Sequence, residues 1–86
     1  MALPTVPEWL KRRDGVLKPG IRDSVVLVVL GGQPQYRLES RPAVGKYACE
    51  VSQTANGKRL DDGTTYATAD AALSGGLEQL RGKLGW

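Results

Sequence analysis

Hydrophobic and polar residues alternate along the middle of the chain, a pattern typical of antiparallel strands with one buried face. The alternation occurs twice, on either side of a predicted turn at residues 42–45. Two strands are therefore predicted, and their apolar positions share one parity in each strand. The side chains expected to face the core are Tyr36, Leu38, Tyr47, Cys49 and Val51.

A return strand is predicted after Asn56-Gly57, a pair that favours a hairpin because both residues accept a positive φ. Residues 58–60 begin this strand and residues 64–66 resume it. A bulge at Gly63 would account for the polar interruption between the two parts.

The segment Ser24–Leu30 contains four valines in seven residues and no alternation. Such β-branched runs favour a strand with both faces covered. A run this short is also compatible with a buried helix, and the valine content favours the strand. The sequence thus places antiparallel strands within residues 24–66.

A short helix and a connector are predicted for residues 1–23. Thr5 and Glu8 have the spacing of a capping box, in which each side chain bonds the other's backbone N–H. The helix should end near Asp14, with Gly15 as its C-terminal stop.

A longer helix is predicted over residues 68–84, with Thr68 as its N-cap. Its apolar residues recur at helical spacing, so one face should pack on the sheet. Gly75-Gly76 is unfavourable inside a helix, by about 1 kcal/mol per glycine. We expect the helix to approach the sheet closely at this point, where a side chain would not fit.

These elements predict one α+β domain that spans residues 1–86. Its sheet should have three or four antiparallel strands, with the C-terminal helix packed across one face and the short N-terminal helix beside it. Eighty-six residues are enough for one modest hydrophobic core.

The composition argues against catalysis and metal chemistry. The chain contains no histidine and one cysteine, so the commonest general base and the usual zinc ligands are missing. No nucleophile–base pair is visible, and neither an enzyme activity nor a cofactor is expected. The lone thiol and the longest apolar run, only six residues, predict a cytoplasmic protein without a membrane span.

The order of motifs from Pro34 to Leu84 resembles a double-stranded-RNA-binding domain. The matching segments are Pro34–Glu39, Lys46–Val51, Asn56–Lys58 and Thr68–Leu80. The resemblance implies a sheet-plus-helix scaffold and shape-directed binding to RNA. The family's first helix would correspond either to the valine run or, as we favour, to Val6–Arg13 with an extra strand added.

The start of the last helix, where the family carries lysines, has none here. Phosphate contacts are therefore expected from basic residues at the hairpin ends and in the N-terminal helix. These candidates are Lys11, Arg12, Arg13, Arg41, Lys46, Lys58 and Arg59. The alternative interpretation is that they are ordinary surface charges, paired with Glu39, Glu50, Asp61 and Asp62.

A weaker analogy is the three-stranded sheet and helix of phage integrase arms, whose outer sheet face contacts DNA. That face would carry Arg37, Arg41, Lys46 and Lys58, mixed with two glutamates.

Two functions remain open. The first is a small non-catalytic module that binds nucleic acid, RNA before DNA. The second is a protein-interaction or accessory subunit on the same scaffold, with Trp9 and Trp86 as candidate partner-binding residues. A free sheet edge would allow such a partner, or a second copy, to add a strand.

Overall fold

The computed structural model describes residues 4–22, 24–61 and 63–85. These residues form two helices and five strands in one antiparallel sheet, which confirms the predicted α+β class. The elements are α1 (Glu8–Lys11), β1 (Val16–Pro19), β2 (Val25–Leu30), β3 (Gln33–Ala43), β4 (Lys46–Gln53), β5 (Thr65–Tyr66) and α2 (Ala69–Leu84).

The sheet has more strands than the predicted three or four because residues 16–19 form an edge strand instead of a connector. The strand order is β1-β2-β3-β4-β5, so each strand pairs with its neighbour in sequence. Leu17 lies opposite Val28 and is buried in the core, whereas Val16 and Lys18 are exposed. One buried side chain in four residues is too weak a pattern to predict a strand.

The N-terminal helix is shorter than predicted. It begins after Pro7, without a side-chain cap among the described residues, so the capping box predicted between Thr5 and Glu8 does not form. Asp14, not Gly15, has the positive φ of 57°. Gly15 is instead buried, and a Cβ there would overlap the side chain of Leu10.

The valine run is a strand, as favoured from its composition. Val26 and Val28 belong to the hydrophobic core, and Val25, on the opposite face, is buried too. The chain at Gly20 lies so close to Val25 that a Cβ would overlap its side chain. A loop, and not a second layer, therefore covers this valine.

Both helices contribute to a single core on one face of the sheet. Leu10 of α1 joins Leu73, Leu77 and Leu80 of α2 in the cluster that packs on the central strands. The other face, which we call the outer face, carries no helix within the described part of the chain.

The close approach predicted at Gly75-Gly76 is confirmed. A Cβ on Gly76 would overlap Cys49 Sγ and lie 3.0 Å from Leu38 Cδ2, and one on Gly75 would overlap the ring of Tyr66. Cys49 faces the core as predicted, and its burial raises the pKa of its thiol to about 12. Thr68 Oγ1 accepts a hydrogen bond from Ala71 N at 3.0 Å, which confirms the predicted N-cap.

The predicted return strand is largely irregular. Gly57 has the expected positive φ, but Arg59 forms only an isolated bridge with Ser52. The side chain of Asp61 accepts a hydrogen bond from Val51 N at 3.1 Å, where a regular strand would have used its backbone. Regular pairing returns only at β5.

The turn between β3 and β4 is tighter than the predicted four residues. Strand pairing continues to Ala43 and Lys46, which leaves Val44-Gly45 as a two-residue turn. Both turn residues have positive φ, 44° for Val44 and 77° for Gly45. This conformation is strained for a β-branched residue, and the side chain of Val44 is fully exposed.

Gly76→Ala should destabilise the fold. Although alanine favours a helix, the added methyl group must displace Cys49, and such overpacking costs about 1–3 kcal/mol. Gly82→Ala is the matched control, because nothing lies within 4 Å of a Cβ at Gly82. In urea unfolding, the free energy of unfolding should fall for Gly76→Ala and rise by up to about 1 kcal/mol for Gly82→Ala. Equal stability changes would contradict the close approach.

Val44→Asn should stabilise the protein by about 1 kcal/mol, because asparagine accepts the left-handed conformation that a β-branched residue resists. Thermal unfolding would measure the change. Val16→Asn, a similar replacement of an exposed valine in regular strand geometry, should instead be destabilising because asparagine disfavours strands. A lower stability for Val44→Asn would show that the turn is not strained.

Candidate nucleic-acid interface

The outer face has two carboxylates at its centre. Glu39 of β3 lies directly opposite Glu50 of β4 in the antiparallel register. Like charges in this position repel each other. The two carboxylates can therefore lie side by side only if nearby cations compensate their charges.

Three guanidinium groups surround Glu39. Arg37 Nη2 lies 3.0 Å from Glu39 Oε1, and Arg41 Nη2 lies 3.5 Å from the same oxygen. Arg22, from the loop between β1 and β2, donates to Glu39 Oε2. Glu39 therefore joins β3 to a loop that precedes it by 17 residues.

Glu50 extends the cluster towards the far side of the sheet. Arg41 Nε lies 3.0 Å from Glu50 Oε2, and Arg59 Nη1 lies 3.1 Å from Oε1. Arg59 also holds Asp61 through two bonds of 2.6 and 2.8 Å. We call these seven residues the arginine–carboxylate network: Arg22, Arg37, Arg41, Arg59, Glu39, Glu50 and Asp61.

The two signs of charge differ in their exposure to solvent. The side chains of Glu39, Asp61 and Glu50 are 4%, 8% and 23% exposed, respectively. The four arginine side chains are 34–58% exposed. The carboxylates thus lie beneath the guanidinium groups, and the surface offered to a ligand consists mainly of the guanidinium groups.

The network shifts the titration of its acids. Burial alone would raise the pKa of Glu39, but the hydrogen bond from Arg37 and the nearby arginine charges outweigh it and hold the pKa below 4.5. The hydrogen bond from Arg59 likewise lowers the pKa of Asp61. Both acids are therefore ionised at neutral pH.

The structure brings together only some of the candidate residues. Arg41 and Arg59 belong to the network, and Lys46 lies on the same face next to the β3–β4 turn. Lys58 lies in the β4–β5 loop, at the opposite end of the sheet from that turn. Lys46 and Lys58 have no ion-pair partner among the residues that the structure describes.

Lys11, Arg12 and Arg13 do not join this surface. They are exposed at the end of α1, whose Leu10 is buried on the helix-covered side of the sheet. A ligand on the outer face would therefore not reach them by the same approach.

The partner-binding candidates have different positions. Trp9 is half-buried and packs against the core, and Trp86 lies outside the described residues.

The edge strand β1 offers four residues for pairing, of which Pro19 lacks an N–H and Lys18 carries an exposed charge. Both features protect natural sheet edges against added strands.

Sequence reasoning missed Arg22 and Lys18 as members of this surface. Arg22 lies in a loop with no local pattern, and only the folded sheet brings it to Glu39. Lys18 lay in the predicted connector, whereas the structure places it opposite Leu27, whose other partner in register is Arg37.

The element before Gln33 is strand β2, so the first helix of a double-stranded-RNA-binding domain does not occupy that place.

No family model, curated protein or solved structure matches the chain. Neither of the described helices is long and apolar enough to cross a membrane.

Glu39→Gln should lower the free energy of unfolding by about 1–2 kcal/mol at pH 7, because three guanidinium groups lose their shared anion. The pKa of Glu39 is lower in the folded protein than its ordinary value of 4.5. The stability that ionised Glu39 contributes is therefore fully present above pH 4.5, and it is lost as the pH falls through the lower pKa of the folded state. The difference between the two proteins should therefore shrink below pH 4.5 in urea titrations.

Glu78→Gln is the control for this change, because Glu78 is exposed on α2 and its nearest contact to Arg81 is 3.7 Å. An exposed pair contributes little, so this variant should change stability by less than about 0.5 kcal/mol. An equal loss of stability in Glu39→Gln and Glu78→Gln would contradict a structural role for the network.

Proposed function

We propose that this protein is a non-catalytic module that binds the phosphate backbone of duplex nucleic acid through the outer face of its sheet. The observation that carries this proposal is the layered charge of the arginine–carboxylate network. Its cations face solvent, and its anions lie beneath them.

The pairing of these arginines with acids does not remove their ability to bind phosphate. A guanidinium group has five N–H donors in a planar fork, and each ion pair uses only one or two of them. The carboxylates also hold the side chains in place, which reduces the entropy lost when a ligand binds.

The charge balance of the outer face supports an anionic ligand. Among the described residues of this face, two lysines, Lys18 and Lys46, add to the four arginines of the network, against its three carboxylates. A face with this excess attracts phosphates and repels a second copy of itself. The cations are spread over several strands, an arrangement that suits a chain of phosphates better than one small anion.

A protein partner with an acidic surface is the second candidate. The outer face also carries aliphatic side chains, since Leu27 is half-buried opposite Arg37 and Val16 is exposed on edge strand β1. Arginine next to aliphatic surface is common in protein interfaces. The experiment for the first proposal therefore includes an acidic polypeptide.

Lys18→Gln combined with Lys46→Gln should weaken binding to duplex DNA and duplex RNA by roughly tenfold, because two phosphate contacts are lost. The salt dependence should also fall by about 0.9 per contact in a log–log plot for DNA. Fluorescence anisotropy at several salt concentrations would measure both effects, with single-stranded RNA and polyglutamate as further ligands.

Lys11→Gln combined with Lys83→Gln removes the same charge away from the outer face and is the matched control. It should leave the salt dependence unchanged. Equal weakening by both double variants would contradict the proposed surface. Binding to polyglutamate but to no nucleic acid would favour the protein partner.

A further inference from the structure

Two aliphatic side chains project at one end of the sheet. Ile21, in the loop between β1 and β2, is 94% exposed, and Val44, in the β3–β4 turn, is fully exposed. In an antiparallel sheet these two connections lie at the same end, because β1 and β3 run in the same direction. Arg22 and Arg41 share Glu39, which joins the β1–β2 loop to the part of β3 that leads into the turn.

The β3–β4 hairpin extends past its neighbour on this side. Val25, the first residue of β2, pairs with Glu39, and β3 continues for four more residues. At 3.3 Å per residue, the turn lies about 13 Å beyond that pair. Val44 is therefore at the tip of the hairpin.

The fold gains nothing visible from valine at this tip. The side chain of Val44 is fully exposed and so adds nothing to the hydrophobic core. Its positive φ is a strained conformation for a β-branched residue. Glycine or asparagine would satisfy the turn better. An exposed, strained apolar residue points to a role in contact with another molecule.

The charged residues that the structure describes next to the turn and to Ile21 are basic. Lys46 follows the turn directly, and Arg41 lies on the same face two residues before Ala43. Arg22 is next to Ile21 in sequence. The apolar tips are thus flanked by cations, an arrangement complementary to an apolar slot bordered by phosphates.

We infer that Val44, supported by Ile21, is an apolar wedge that enters the minor groove of duplex DNA and bends it. This inference rests on the proposed function and narrows its ligand to DNA. In B-DNA, apolar side chains inserted between base steps kink the duplex, while flanking basic residues hold the phosphates. A-form RNA has a wide, shallow minor groove that gives such a wedge less contact.

The test uses a duplex of about 25 base pairs with a fluorescence donor and acceptor at its ends. Bending brings the ends together, so transfer efficiency should rise when the protein binds. Val44→Asn combined with Ile21→Ser should lose at least half of this rise while anisotropy still detects binding. Ala71→Ser, an apolar-to-polar change at an exposed position of α2 and away from the outer face, should retain the full rise.

The outcomes separate the two proposals. If neither duplex DNA nor duplex RNA is bound at any salt concentration, the proposed function fails and the wedge fails with it. Binding without a change in transfer efficiency, or with the same change in the double variant, overturns the wedge alone. Loss of binding to phosphatidylserine vesicles in the double variant, with DNA bending unchanged, would assign the two tips to a membrane surface and also overturn it.

Discussion

The contact between α2 and the sheet at Gly75-Gly76 is the constraint on which the rest of the fold depends. Because two consecutive residues lack side chains, the helix backbone lies directly over Cys49 and Tyr66. The leucines of α2 on either side of this point then reach the central strands and join their side chains in the core. Because the helices cover one face of the sheet in this way, the outer face is the side of the sheet that stays open to a ligand.

The outer face balances repulsion with attraction from distant parts of the chain. Two glutamates lie opposite each other, and their charges are compensated by arginines at positions 22, 37, 41 and 59. The same contacts join a loop, two strands and the irregular segment before β5. Charge pairing thus orders the surface that, in our proposal, also binds the ligand.

The sequence predicted those features that depend on local pattern. Alternation identified β3 and β4, the Thr68 cap identified the start of α2, and Gly75-Gly76 indicated the close approach. Local pattern failed where distant contacts decide the structure. Edge strand β1 exists because Leu17 meets Val28, α1 is shortened around one buried leucine, and Arg22 reaches a carboxylate 17 residues away.

The chain-order pairing of the strands has a kinetic consequence. In a meander, each hairpin closes a short loop before the next strand arrives, so little entropy is lost at any single step. The contacts between α2 and the sheet, such as Gly76 with Leu38, span far more of the chain than the hairpin pairs do, and they need the strands to be in place. Relative contact order is therefore low for a sheet protein, and refolding should be fast and free of the delays that parallel pairing imposes.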